Sequence, residues 1–288
     1  LRLYLKVRNL ELQTPLMLAS GTWGLGENLE QYLTKEEIKS TIGAMVSKGI
    51  SLLPKKGNPP PRLYETPCGL INSIGLENPG LEVFKTDYLP KLFSYEVPLI
   101  VNVHGETLED FVRLAESFRD EKIAGLELNI SCPNVKKGGI AFSSDPKGVK
   151  TLIKEVRKVW ERFLAVKLSP VGPVYEIAEV CEEEGVDALV VANTYPALGV
   201  ISLSPLKVIK GGLSGPAIKP LTLRLVYELS QRIKLPIIGS GGILSGKDAI
   251  EYLACGAKAF QIGVANLIDP TSPVKIMKEI EEKYGLLG

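Results

Sequence analysis

Along the chain one theme recurs: a short apolar run, a turn, then an amphipathic stretch of helical period. The apolar runs predict strands at Pro15–Ser20, Ala44–Gly49, Pro98–Gly105, Gly125–Ser131, Leu164–Ser169, Ala188–Thr194, Pro236–Gly242 and Ala259–Ala265. Most are apolar throughout, as in Pro236-Ile237-Ile238-Gly239, the composition of a parallel strand covered on both faces. Helices are predicted over Leu108–Phe118, Gly148–Arg162, Pro173–Glu184, Lys219–Arg232 and Lys247–Ala254. Thr107 with Asp110 forms a short-armed capping box, and Gly185 and Gly256 stand where helix C-caps are expected.

Eight strands alternating with helices point to an α/β fold closed as a (β/α)8 TIM barrel, read as a single domain over residues 1–288. A doubly wound sheet is the alternative. A Rossmann fold fits less well, because Gly21, Gly24 and Gly26 space their gaps in the wrong order for that fingerprint. Two long loops interrupt the rhythm, Leu52–Pro90 and Tyr195–Pro216. Both follow strands and so belong over the C-terminal face, where binding and lid elements sit. The opening 13 residues alternate as a hairpin would, and are placed outside the barrel, across its bottom.

Composition narrows the function. A formal net charge of +1 gives no basic stripe for a nucleic acid. No apolar run is long enough to span a membrane, and the start lacks a secretory core; the four cysteines, spaced far apart, lead to the expectation of a reducing, cytoplasmic setting. Frequent Lys and Glu with scarce Gln lean towards a thermophilic source. Cys68, Cys132, Cys181 and Cys255 never form a CxxC pair, so no disulfide framework, zinc site or iron–sulfur site is expected. His104 is the one histidine, which removes most triad and zinc schemes.

The strand ends collect Ser20, Gly21, Lys48, Asn102, Asn129, Cys132, Lys167, Asn193, Thr194, Gly241, Gly242 and Gly263. Three asparagines among them make a donor and acceptor lining for a neutral, amide-rich ligand, although each could instead satisfy loop backbone. Cys181 and Cys255 read as small buried hydrophobes. Cys132, between polar residues and a proline after a strand end, reads as a general base. Of Lys48 and Lys167, one could hold a substrate carboxylate and the other face a ring that becomes anionic on reduction; a salt bridge at the barrel mouth is the alternative for each. Gly241-Gly242 and Gly263 allow close backbone approach to a phosphate.

Asn129-Ile-Ser-Cys-Pro-Asn134, Asn72-Ser-Ile-Gly-Leu76, Gly57-Asn-Pro-Pro-Pro-Arg62, Gly212-Leu-Ser-Gly-Pro-Ala-Ile-Lys219 and Ile238-Gly-Ser-Gly-Gly242 together resemble dihydroorotate dehydrogenase over essentially the whole chain. Cysteine at position 132 resembles the soluble class, and Gly75-Leu-Glu-Asn-Pro-Gly80 looks most like the two-subunit NAD-linked subclass. The resemblance implies one FMN per chain and oxidation of (S)-dihydroorotate to orotate in pyrimidine biosynthesis. Cys132 would remove the C5 proton as the C6 hydride passes to FMN. It implies FMN contacts at Ser20, Lys48, Gly49, Asn102, Asn129, Lys167, Ala192, Gly215, Gly241, Gly242, Gly263 and Val264. Substrate contacts are implied at Lys48, Asn72, Ser73, Ile74, Gly75, Leu76, Asn129, Asn134, Asn193 and Thr194, with a lid from Asn134 to Pro146. Gly49, Ala192 and Val264 depart from the residues common at their positions. His104 is expected to pack or to hydrogen-bond a loop.

The same resemblance implies a partner electron-transfer subunit carrying FAD and a [2Fe–2S] cluster, in a heterotetramer built on a homodimer. Alternatives are a dihydropyrimidine dehydrogenase acting on dihydrouracil or dihydrothymine, fumarate-linked dihydroorotate oxidation, a flavin barrel acting on tRNA uridines, and a non-catalytic phosphate-ligand-binding scaffold.

Overall fold

A computed structural model describes residues 5–26, 29–131 and 142–285. In chain order its strands are β1 (Leu5–Val7), β2 (Leu10–Leu12), β3 (Leu16–Leu18), β4 (Ala44–Val46), β5 (Leu63–Thr66), β6 (Gly69–Asn72) and β7 (Leu99–Val103). They continue with β8 (Gly125–Asn129), β9 (Phe163–Lys167), β10 (Ala188–Val191), β11 (Tyr195–Leu203), β12 (Leu206–Ser214), β13 (Ile237–Ser240) and β14 (Ala259–Ile262). Eight of these close into a parallel barrel in the order β10-β13-β14-β3-β4-β7-β8-β9, and they are the eight apolar runs predicted from sequence.

Strand alternation divides the apolar residues between two cores. Leu16, Leu18, Met45, Leu99, Val101, Leu126, Leu128, Val166, Leu189 and Phe260 face outwards and pack with the helices. Met17, Ala44, Val46, Ile100, Phe163, Ala165, Val190, Ile238 and Ala259 fill the barrel interior. Leu5, Leu10 and Leu12 of the β1–β2 hairpin join that inner cluster. The hairpin therefore plugs the bottom, and each buried leucine contributes at most about 1.5–3 kcal/mol. Polar contacts hold it there. Arg8 Nε reaches Asp187 Oδ1 at 2.5 Å, and Arg157 Nη2 donates to Asp187 Oδ2 at 2.6 Å.

The five predicted helices are observed at Leu108–Ser117, Pro146–Val159, Val174–Glu183, Lys219–Ser230 and Gly246–Ala254. The Thr107–Asp110 capping box is formed, and Gly185 and Gly256 take the positive φ of residues that follow a helix end. Four α-helical stretches among the described residues were not foreseen: Lys35–Thr41, residues 81–93, Val264–Ile268, which begins inside the run expected to be the last strand, and Ser272–Tyr284.

The two long loops are more ordered than expected. Leu52–Pro90 contains the β5–β6 hairpin and Tyr195–Pro216 contains the β11–β12 hairpin. The two join as one antiparallel sheet in the order β11-β12-β6-β5. No helix among the described residues is long and apolar enough to cross a membrane.

Candidate active site

At the C-terminal ends of β7, β8, β9 and β14 the interior turns from apolar to polar. Asn102, Glu127, Lys167 and Gln261 alternate with outward-facing neighbours and so point inwards, each no more than 6% exposed. Glu127 collects the others. Its Oε1 accepts from Asn102 Nδ2 at 2.6 Å and lies 3.8 Å from Lys167 Nζ; its Oε2 accepts from Gln261 Nε2 at 2.7 Å. Lys167 Nζ also donates to Gln261 Oε1 at 3.3 Å. Asn102 Oδ1 is buried with no partner, the one side-chain polar atom of that kind among the described residues. It lies 2.9 Å from where a Cβ on Gly49 would stand, so glycine keeps that side of the amide clear.

One layer higher, hydrogen bonds link the asparagines. Ser131 Oγ donates to Asn129 Oδ1 at 2.6 Å and accepts from Asn193 Nδ2. Asn193 Oδ1 accepts from the Thr194 N–H at 2.8 Å. Thr194 lies against Gly212, whose carbonyl accepts from Asn72 Nδ2 at 3.1 Å. Asn72, Asn129, Asn193 and Thr194 come from different parts of the chain and form one polar wall.

Ser73, Ile74, Gly75 and Leu76 continue that wall, all half-buried. Asn58 braces them: its N–H donates to the Ile74 carbonyl at 3.0 Å and its Nδ2 to the Ser73 carbonyl at 3.0 Å. Lys48 is half-buried beside it, with Nζ 3.6 Å from Glu77 Oε2, an oxygen that also accepts from Arg62 Nη1 at 3.0 Å. Both strand-end lysines thus have a carboxylate neighbour, as the salt-bridge alternative holds. Neither carboxylate saturates its lysine at hydrogen-bonding distance.

The glycines form a third group. Gly241 and Gly242 have φ of +148° and +67°, and a Cβ on Gly242 would lie 2.7 Å from the Gly215 carbonyl oxygen. Ala192 adjoins them through its N–H to the Ser240 carbonyl at 3.0 Å. Gly263 and Val264 follow β14 beside the Ala19–Thr22 turn that contains Ser20. Cys132 and Asn134 lie outside the described residues, as does most of the expected lid. At the lid's far end, Phe142 is buried and packs edge-on against Phe111 at 5.6 Å between ring centroids.

Glu127 and Gln261 were missed because the sequence was read at strand ends. The signal was present: each stands two residues before an inward-facing strand-end residue, Asn129 and Gly263, in an otherwise apolar run. His104 is 2% exposed, with Nε2 3.5 Å from Asn78 Nδ2. Burial, helped by the charge on Lys55, pushes its pKa down to about 4. Burial also pushes the Cys181 thiol well above its ordinary value, which suits an inert core residue. No group of three or more potential metal ligands occurs among the described residues.

Comparison with known proteins agrees across the chain. The family profile described as dihydroorotate dehydrogenase matches residues 2–284. The catalytic subunit of dihydroorotate dehydrogenase B (NAD(+)) from Thermoanaerobacter pseudethanolicus is 44% identical over 286 residues, covering 98% of this chain and 93% of that protein. The protein of the same description from Geotalea daltonii is 45% identical over 285 residues, 97% of this chain and 92% of its own length. That from Thermodesulfovibrio yellowstonii is 44% identical over 286 residues, with 97% and 93% covered.

Proposed function

The chain belongs to the dihydroorotate dehydrogenase family, and from that membership we propose that it is the FMN-bearing catalytic subunit of an NAD-linked enzyme oxidising (S)-dihydroorotate to orotate. The observation that carries this reading is the layered mouth: a buried amide oxygen without a partner at Asn102, below a wall of asparagines. Leaving such an acceptor unpaired costs about 1–3 kcal/mol, which a donor on a bound ligand recovers. The residues present fit FMN. Asn102 offers the acceptor, Lys167 the cation, and Gly215, Gly241, Gly242 and Gly263 a backbone cradle for a phosphate.

Bound FMN supplies the two-electron acceptor for the hydride from C6. The remaining steps belong to the chain. Cys132 takes the C5 proton, so that C5 and C6 become doubly bonded. Ser131, the residue before it, is tied to Asn129 and Asn193, which supports placing the thiol against the asparagine wall. Asn72, Asn129, Asn134, Asn193 and Thr194 pair with the ring amides, with Ser73 to Leu76 along one edge. Lys48 holds the substrate carboxylate, a contact that dihydrouracil cannot make. Ser20, Lys48, Gly49, Asn129, Ala192 and Val264 complete the flavin contacts.

Electrons leave through a partner subunit carrying FAD and a [2Fe–2S] cluster, in the cytoplasm, within a heterotetramer built on a homodimer. Exposed Leu198, Val200, Ile201, Leu203 and Leu206 on β11 and β12 support an associating surface. The test is Cys132→Ala, reconstituted with FMN. The flavin stays bound while its reduction by dihydroorotate slows by about 10²–10⁴-fold, the range of general-base catalysis. Near-normal reduction would remove Cys132 from the mechanism.

A further inference from the structure

Glu127 is a carboxylate 1% exposed inside the barrel, and no step of the oxidation calls for it. A buried charge of this kind survives only when paired and hydrogen-bonded, and both its oxygens are engaged. We propose that Glu127 is a positioning residue for the flavin: it fixes which edge Asn102 turns to the ligand and provides the counter-charge that locates Lys167. The proposal rests on the FMN reading above and deepens it.

A carboxylate cannot donate, so the Asn102 edge facing Glu127 at 2.6 Å must be the amide NH2. The opposite edge, Oδ1, is then the unpartnered acceptor on the Gly49 side. Gln261 acts in the same way: its NH2 goes to Glu127 Oε2, which leaves its carbonyl for Lys167 Nζ. One carboxylate thus sets the direction of two amides and one ammonium.

Glutamine cannot substitute, although it has the same shape. It has one acceptor oxygen where the site presents two NH2 groups, so one of them would face another NH2. Relief requires Asn102 to flip, turning a donor to the ligand, or Gln261 to flip, turning a donor to Lys167. Either flip alters what the flavin meets. The lost negative charge also leaves Lys167 uncompensated, which favours the more negative, reduced flavin.

The experiment compares wild-type, Glu127→Gln and Glu127→Asp holoprotein. It reads the FMN dissociation constant of the apoprotein by fluorescence quenching and the midpoint potential of bound FMN by dye equilibration. For Glu127→Gln, FMN binding is expected to weaken about tenfold. The reduced flavin is expected to gain about tenfold over the oxidised, a rise of about 30 mV for a two-electron couple. Glu127→Asp, which keeps the charge but withdraws it, shifts the potential the same way by less, and it carries the test should Glu127→Gln fail to fold. A merely structural role would lower the melting temperature and leave the potential of bound flavin unmoved. A shift under about twofold in the folded variant therefore overturns the proposal. Wild-type apoprotein that takes up no FMN would overturn the flavin reading as well, whereas wild-type binding with an unmoved variant overturns only the role of Glu127.

Discussion

A single methyl group at Gly212 tests whether β12 carries the substrate wall. A Cβ there would stand 1.9 Å from Thr194 Oγ1 and 2.6 Å from Thr194 Cβ. Rotating the threonine removes the first clash but not the second. Restoring carbon–carbon contact to about 3.5 Å then requires β12 and Thr194 to part by about 1 Å. Neither side yields freely. Gly212 is in register with Pro196 and with Asn72, and the Thr194 N–H is bonded to Asn193 Oδ1 at 2.8 Å. The displacement therefore passes to Asn72, which donates to the Gly212 carbonyl, and to Asn193. Misplacement of reacting groups by about 1 Å costs about 10²-fold in rate, or roughly 2.7 kcal/mol in the barrier. Gly212→Ala is therefore expected to lower kcat/KM for dihydroorotate about 100-fold. Its FMN affinity should stay within about threefold of wild type, since three of the four cradle glycines, Gly241, Gly242 and Gly263, follow other strands and Gly215 stands three residues beyond the substitution. Anaerobic stopped-flow reduction of the bound flavin measures the first, and fluorescence quenching of added FMN the second. Reduction within about threefold of wild type, or an equal loss of FMN affinity, would refute the reasoning.

Lys48→Ala should weaken dihydroorotate binding by about 10–100-fold while the melting temperature changes little; unchanged substrate affinity would remove Lys48 from the carboxylate site. His104 is held neutral by burial, its pKa falling from 6.5 to about 4 on folding. Its contribution to stability is therefore complete above pH 6.5 and is lost as pH falls towards 4, about 2 kcal/mol by pH 5. Because it is the only histidine, its ring proton resonance reports directly, and a titration midpoint near 6.5 in the folded protein would contradict this. Asp187→Ala removes the carboxylate shared by Arg8 and Arg157, leaving them only backbone carbonyl acceptors, and removes the acceptor of the Leu164 N–H, so a loss of about 3 kcal/mol is expected, with FMN affinity intact. A melting temperature within about 2 °C of wild type would show that the hairpin needs no such anchor.

The barrel was legible because its strands are short apolar runs that little else explains; Ile237-Ile238 and Val190-Val191 sit where they were expected. The second sheet was not. Tyr195–Pro216, which contains Gly199, Gly211 and Gly212, reads as a loop, whereas the structure uses these glycines for close approach between strands: a Cβ on Gly211 would lie 2.0 Å from the Asn72 carbonyl oxygen. Helix Lys35–Thr41 buries only Ile38 and Thr41, too little for a periodic stripe, although its Thr34–Glu37 capping box was readable. Helix Ser272–Tyr284 carried a fair stripe in Ile276, Met277 and Ile280 that went unassigned. At the site, Lys48, Asn102, Asn129, Lys167 and Asn193 stood out as polar residues ending apolar strands. Glu127 and Gln261 lie one layer deeper, where only strand parity places them in the interior.

The proposed function joins a flavin and a carboxylate-bearing dihydropyrimidine at this mouth. Anaerobic titration of the FMN-loaded wild-type protein tests it most directly. Dihydroorotate should bleach the oxidised flavin with one equivalent per bound FMN, while dihydrouracil at the same concentration should leave it yellow. Equal bleaching by both compounds, or none by dihydroorotate, would contradict the account.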